Sequence, residues 1–335
     1  MRNGVSVSGI TGARVMSAAA SAVAGLMFAL SAPPLLAQGY PAKPVRIVIP
    51  FGAGGGTDIQ GRLLSKKFYE SMRQTFVVDN RPGASGIIGA ELAAKSPPDG
   101  YTILFTTASL AVNTTLYGKR LTIDPQKALQ PISWISSVPL VLVAHPNVPV
   151  KSAKELVALA IRTGNMNAGH NGAGTTSHLS IEMMKQLAGV KVAAIGYKGG
   201  GPSMTALISG EVDFNFATAL TATPHIKSGR IKALAVTTAK PSKSFPTLPT
   251  MASLYPGFEA DNWYAMFYPA GTPRPIVDKM NAEIKKALGA KDVADFMARE
   301  GADPVGSSPE ELAAYFKREI EKYANVIRKG NIAIQ

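Results

Sequence analysis

Apolar and polar positions alternate along the chain in two rhythms. Short runs rich in β-branched and aromatic residues, "VRIVIPF" (45–51), "TFVVDN" (75–80) and "YTILFTT" (101–107), have the near-continuous apolar character of buried strands. Helical spacing fills 58–71 and 86–95 between them, and strand–helix–strand order predicts a mainly parallel sheet. A longer β-rich stretch, "PISWISSVPLVLVAH" (131–145), breaks the rhythm and predicts a chain crossing from one domain into another.

A second alternating series follows. Strands are predicted over 165–170, 192–197, 212–217 and 231–237, and helices over 152–163 and near 177–188, 202–209 and 221–228. Ser152 with Glu155 predicts a capping box, Gly164, Gly189 and Gly210 predict left-handed stops, and Pro202 suits a first helical position. After a Pro- and Ser-rich segment, "WYAMFYPAGTP" (263–273) reads as a strand making the return crossing. Helices at 275–287, 291–299 and 308–329, with a short strand within 302–306, should complete the first domain. Ser308, Pro309 and Glu311 give the last helix a capped start.

The first 37 residues follow another pattern. Arg2 and Arg14 are their only charges, and an apolar run from Val15 to Leu30 leads into "SAPPLLAQ", as in a secretory signal. The run is short for a membrane span, and cleavage is expected after Ala37, with Ser31 as the alternative. The chain has no cysteine, which excludes lipoprotein processing, disulfides and thiolate chemistry. Without the signal, 33 Lys and Arg against 22 Asp and Glu leave a net charge of +11. Secretion disfavours nucleic acid as a partner, and "SKKF", "EIKKAL" and "FKREIEKY" scatter the cations as solvated helix faces do. At 335 residues there is room for two domains.

The candidate chemistry lies in the glycine turns. "VRIVIPFGAGGGTDIQGRLL" fails the dinucleotide pattern because Thr57 stands at the third glycine position, and it fails the phosphate-loop pattern because no Gly-Lys-Ser/Thr follows. Without that fingerprint Asp79 is a decoy for a ribose-binding acid. Two readings remain open: an ordinary strand-to-helix turn with Asp58 as its N-cap, or a helix N-terminus at Thr57 or Asp58 whose free N–H groups hold an anion. The arrangement recurs through Gly172 and Gly174 into a helix starting around Thr176 to His178, and again through Gly199, Gly200 and Gly201. Such loops lie at the carboxyl ends of strands, where open parallel sheets bind ligands. With hydroxyls at Thr57, Thr176 and Ser177 and no arginine cluster, a carboxylate fits better than a phosphate; Lys198 could add a charge.

Catalytic constellations are thin. No zinc-protease helix, nucleophile elbow or cysteine nucleophile is present, no cofactor or metal is expected, and His145, His170, His178 and His225 lack zinc-site spacing. Three of the histidines read as loop or surface residues. His178 beside Ser177 suits capping or ligand contact, and a secreted hydrolase using the two is the rival from another class.

From "YPAKPVRIVIPFGAGGGTD" through "NRPGASGIIGAELAAKSPPDGYT", "SHLS", "YKGGGP", "SGRIKALAVT" and "PAGTP" to "ADPVGSSPEEL", the chain resembles the Bug, or TctC-like, periplasmic solute receptors of tripartite tricarboxylate transporters. The resemblance implies an α/β, two-lobed periplasmic binding protein of type II, a Venus flytrap with two interdomain crossovers. Domain 1 would comprise 38–138 and 260–335, and domain 2 would comprise 139–259. It implies a non-enzymatic, monomeric, periplasmic receptor that closes on a small carboxylate and delivers it to a two-component permease; a ligand sensor for a signalling partner is the alternative. Carried onto this chain, the ligand contacts are Gly55, Gly56, Thr57 and Asp58, then Thr107, Ser109 and Asn113, then Thr176, Ser177, His178, Tyr197 and Lys198. Many members have Pro-Pro where this chain has Gly52-Ala53, and an Asp-Asn pair where it has Ala217 and Thr218. Loss of that acid removes a partner for a ligand ammonium, so the expected ligand is a mono- or dicarboxylate or an aromatic acid rather than an amino acid.

Overall fold

The computed structural model describes residues 1–4, 39–54, 56–242, 244–299, 301–330 and 332. The predicted signal falls almost wholly within 5–38 and lies outside them. Met1–Tyr40 and Pro41–Gln335 are separate compact units, and the architecture below is that of the second.

Strand β1 (Val45–Ile49) runs parallel between β2 (Phe76–Asn80) and β3 (Thr102–Thr107). Helices α1 (Gly56–Met72) and α2 (Ile87–Ala94) supply the crossovers, as the alternating pattern predicts. Four of the five β1 residues are buried, which is why the run is apolar without alternation. Helix α3 (Ser109–Leu116) follows β3 where the sequence pattern predicts no helix, and a short α4 (Pro125–Ala128) leads into β4 (Leu129–Ala144). In helix α3 the successive residues Ser109 to Asn113 are all buried, so no polar face marks it as a helix in the sequence.

The 16-residue β4 belongs to both sheets. Its first part, Leu129 to Pro139, pairs antiparallel with β9 (Asp261–Pro269), which in turn pairs with β3. Its last part, Leu140 to Ala144, pairs antiparallel with β7 (Phe214–Thr218), and Val141 to Ala144 also with β8 (Lys232–Val236). Beyond β7 lie β5 (Met166–His170) and β6 (Val192–Gly196), both parallel, giving the order β2-β1-β3-β9-β4-β7-β5-β6. Around the second sheet run α5 (Ala153–Thr163), α6 (Thr176–Ala188), α7 (Gly200–Ser209), α8 (Ala219–Lys227) and the short α9 (Met251–Leu254). The chain ends with α10 (Arg274–Leu288), α11 (Lys291–Arg299), β10 (Asp303–Pro304) on β4, and α12 (Pro309–Lys329).

Each sheet has its own core. Val48, Leu104, Trp263, Phe267 and Phe316 centre one, while Leu142, Met184, Phe214, Phe216 and Phe258 centre the other. Full burial of a large apolar side chain contributes about 1.5–3 kcal/mol, so the two clusters can hold two lobes together independently. Thr237 ties the crossings: its hydroxyl donates to Ala260 O at 2.7 Å and accepts from Leu140 N–H at 3.1 Å. Helix α12 packs its buried Leu312, Phe316 and Tyr323 on the first lobe and also receives Gln186 Nε2 of α6 at Val326 O, 3.0 Å away.

The helix ends follow the capping rules with two adjustments. Ser308 and Glu311 form a reciprocal box, and Gly164, Gly189 and Gly210 adopt left-handed C-caps. Glu155 instead turns its carboxylate back to Lys151 N–H at 2.7 Å, while Ser152 accepts from Glu155 N–H. Pro202 is the third residue of α7, still within the turn whose N–H groups have no intrahelical partner.

Candidate functional site

The glycine turns before α1 and α6 bring helix N-termini together from the two lobes, and the start of α8 joins them. Helix α1 begins at Gly56, earlier than the expected Thr57 or Asp58, and Gly55 lies outside the described residues. Thr57 and Asp58 are both buried. Asp58 is therefore a third helical residue and not the expected N-cap. Its Oδ2 accepts from Gly54 N–H and from Arg62 Nε, both at 3.0 Å, and so ties the turn to the helix. Its other oxygen is buried without a hydrogen-bond partner. Burial pushes the carboxyl up, but Arg62, the Gly54 N–H and Asn80 outweigh it and hold Asp58 below the usual carboxylate range.

Replacing Asp58 with alanine should loosen the turn and weaken carboxylate binding by about 0.5–2 kcal/mol, the range for a lost helix-end contact. Tighter binding in a titration would instead mean that its bare oxygen faces the ligand. Because the folded carboxyl is depressed, its stabilisation is complete above the unfolded value near 4 and disappears as pH falls through the lower folded value. Denaturation of wild type and Asp58→Ala should therefore converge as pH falls below the ordinary carboxylate range.

On the same lobe Thr107 ends β3, and its Oγ1 accepts from Ser109 N–H at 3.3 Å as α3 begins. Asn113, one turn on, donates to Ser85 O at 2.8 Å, and its Oδ1 is buried without a hydrogen bond. Ser85 Oγ reaches across to Ala173 O of the other lobe at 2.6 Å. Ala84 and Ser85 have φ of 45° and 53°, a left-handed conformation that costs non-glycine residues free energy and collects where structure over-determines it.

In the second lobe Thr175 caps α6, accepting from His178 N–H at 3.3 Å. Thr176 and Ser177 are buried at the start of the helix. Ser177 Oγ lies 3.4 Å from Asn215 Oδ1, and Asn215 in turn donates to Ser203, so the network joins α6 and α7 to β7. His178 directs Nδ1 to Gly174 N–H at 3.4 Å and stacks on His170 with ring centroids 4.5 Å apart. Here the sequence expectation needs correction: His170 is only 5% exposed, because β5 delivers it under the glycine turn, where its Nδ1 accepts from Gly172 N–H. Burial pushes both imidazoles down to about 4, with His178 adding to the effect on His170 and Lys185 to that on His178. Both are neutral at pH 7.

The remaining expected contacts divide. Ala217 is buried in β7 opposite Val141, and Thr218 stands at the N-cap position of α8 without a side-chain cap, its hydroxyl 3.0 Å from that of Thr221. Tyr197 donates its hydroxyl to Glu211 at 2.7 Å, and burial together with that carboxylate pushes the phenol up to about 12. Lys198 is exposed. The hydroxyl of Tyr197 is thus already engaged on its own lobe. Asp79, the ribose decoy, pairs with Arg46 and Arg81.

Three residues enter the site unforeseen. Tyr264 of β9 places its hydroxyl so close to Gly56 that a Cβ there would lie 2.6 Å from it and 3.2 Å from Leu220 Cδ2 of α8. Asn262, two residues earlier on the same face of the strand, donates to Tyr264 Oη at 3.1 Å, while Thr176 Oγ1 stands 3.5 Å from its Oδ1. The N-termini of α1, α6 and α8 therefore meet around β9. Polar groups at alternate positions of an otherwise apolar strand were the available signal, but a reading built on glycine turns passes over them.

The donors gathered here are backbone N–H groups, hydroxyls and an amide, which suits one small anion. Among the described residues no three His, Asp or Glu side chains cluster as metal ligands, and no helix is long and apolar enough to cross a membrane.

Known proteins are similar to this chain in sequence and in architecture. Protein BugT of Bordetella pertussis is 37% identical over 317 residues, spanning 92% of this chain and 96% of its own. The solved structure of the periplasmic binding protein BugD is 34% identical, with a TM-score of 0.81 over 88% of this chain and 100% of that one. Rpa4515 of R. palustris, solved with adipate, is 34% identical with a TM-score of 0.82 over 88% and 99% of the two chains. MatC of Rhodopseudomonas palustris, solved with bound malate, is 29% identical with a TM-score of 0.78 over 86% and 100%. Residues 61–332 match the family described as tripartite tricarboxylate transporter family receptor, TctC, and with this two-lobed fold the chain belongs to that family of solute-binding receptors.

Proposed function

We propose that the protein is an extracytoplasmic receptor that closes its lobes on a small mono- or dicarboxylate, or an aromatic acid, and delivers it to a tripartite tricarboxylate-type permease. The observation that carries this reading is the convergence of α1, from one lobe, with α6 and α8, from the other, on the polar face of β9. Adipate and malate in two related structures supply the ligand class. We assign 38–138 and 260–335 to one lobe and 139–259 to the other, with the hinge at β4, β9 and Thr237. The chain would act as a monomer, exported by the signal in 1–37.

In this reading backbone N–H groups of Gly56, Thr57, Thr176 and Ser177 face the carboxylate, whose negative charge the helix ends stabilise by about 0.3–1 kcal/mol each. Ligand shifts the lobes toward closure only through tighter binding to the closed state, and the closed shape is what a permease would recognise. The position of the Ser177 hydroxyl beside Asn215 argues against its use as a nucleophile with His178. A thermal-shift screen of the mature protein against di- and tricarboxylates, aromatic acids, amino acids and neutral analogues tests the reading. A true ligand at 100 times its Kd should add about 2.7 kcal/mol. A screen in which no carboxylate raises Tm, with the protein shown to be ligand-free, would overturn it.

A further inference from the structure

The receptor reading leaves one buried group without a role. Tyr264 is 3% exposed, in a strand whose neighbouring Trp263, Ala265, Met266 and Phe267 are fully buried core residues. A phenol placed in such surroundings keeps a hydrogen-bond partner, because desolvating a hydroxyl without one is costly. Its oxygen accepts from Asn262 Nδ2, which leaves the hydroxyl proton to be directed elsewhere. Burial also pushes the phenol well above its ordinary range, so that proton stays in place at any physiological pH.

The first helical residue of α1 lies directly against that hydroxyl. Only a glycine fits at position 56, since a Cβ would approach Tyr264 Oη to 2.6 Å. The side chain that α1 lacks thus leaves its first turn open to the phenol. Leu220 closes the same spot from the other lobe, and Asn262 lies between Tyr264 and Thr176 at the start of α6.

We propose that Tyr264 is a ligand-contacting donor whose O–H joins the α1 N–H groups on one carboxylate oxygen, with Asn262 as the positioning residue that orients it. The proposal rests on the receptor reading and extends it. One end of the ligand is then recognised by a donor from β9, a crossover strand, and not only by the glycine loops. Thr176, touching the same Asn262, makes the orientation of that donor sensitive to whether the second lobe has closed.

The test is titration calorimetry of wild type, Tyr264→Phe and Asn262→Ala with adipate and malate as probes, and with adipamide as the uncharged counterpart of adipate. Tyr264→Phe keeps the ring and so the packing. Losing one charge-assisted hydrogen bond should weaken the bound dicarboxylate by about 10- to 100-fold, with a smaller loss for the amide and an unliganded Tm near that of wild type. Asn262→Ala should weaken binding less, and its effect should vanish in the Tyr264→Phe background, because it acts through the phenol. If Tyr264→Phe does not fold, Asn262→Ala alone carries the test: a larger loss for adipate than for adipamide supports the proposal, and unchanged affinity or equal loss for both overturns it. Equal affinity in wild type and Tyr264→Phe, or equal loss for acid and amide, overturns the proposal while leaving the receptor reading intact. If the wild type itself binds neither acid, the larger carboxylate panel of the thermal-shift screen supplies the probe. If nothing in that panel binds, the receptor reading fails and the proposal with it.

Discussion

Gly174→Ala is expected to hold the lobes apart and to weaken carboxylate binding by roughly 5- to 150-fold, from about 1–3 kcal/mol of overpacking. Gly174 has φ of +74°, and a Cβ there would lie 2.5 Å from Asn113 Oδ1 and 3.0 Å from Leu116 Cδ2 on the opposite lobe. Asn113 has little freedom to retreat, because its amide is tied to Ser85 O. Two costs arise, and they act on different equilibria. Left-handed strain, about 1 kcal/mol for alanine, is present whether the lobes are open or closed, so it lowers Tm without changing affinity. The clash with Asn113 and Leu116 exists only when the lobes meet, so it acts on closure and thereby on apparent Kd. Calorimetry, with small-angle scattering at saturating ligand, separates the two. A variant that loses Tm but binds with wild-type affinity would show that the Gly174 turn is not a closing contact.

The second large effect concerns acid stability. His170 and His178 titrate near 4 in the folded protein against 6.5 in the unfolded chain. Between pH 6.5 and 4 the unfolded chain therefore takes up protons that the folded one refuses, and stability falls; below about 4 the loss is complete. Asp261 acts in the opposite sense. Burial raises it to about 6; one oxygen accepts from Ser137 Oγ at 3.1 Å and the other has no hydrogen-bond partner. Lys322 favours its charged form, while Glu259 and Glu319 oppose it. Stability gained by protonating Asp261 as pH falls from about 6 to 4 thus masks part of the histidine loss.

Asp261→Asn should remove the mask. We expect it to raise stability by about 1–3 kcal/mol at pH 7.5, where the buried charge is most costly, and to steepen the fall between pH 6.5 and 4. Urea denaturation at half-unit steps from pH 4 to 8 reads both effects. A variant less stable than wild type at pH 7.5 would mean that the attraction of Lys322 for the Asp261 carboxylate outweighs its burial.

The fold was legible because its signals are local. "VRIVIPF" and "YTILFTT" carry the apolar runs of strands buried on both faces, and Ser308 with Glu311 marks a helix start within four residues. The glycine turns announce themselves similarly, since Gly164, Gly189 and Gly210 stand where a chain must turn left-handed to leave a helix. The site was only half legible. Asp58 was recognisable as a helix-start acid, yet whether it caps, braces the turn or faces a ligand depends on a difference of a few residues in where α1 begins.

By itself the sequence determined most of the strand and helix order, the long crossing strand, the caps at Gly164, Gly189, Gly210 and Ser308, and the family, all of which follow from periodicity or from motifs contiguous in the chain. Only the tertiary structure decided which polar groups meet. Tyr264 and Asn262 come to Gly56 and Thr176 over separations of some 200 and 90 residues, and His170 is buried because β5 carries it under the ring of His178. The physical reason is that hydrogen bonds and close approaches act over a few ångströms in space. Hydrophobic periodicity, in contrast, is a property of neighbours along the chain.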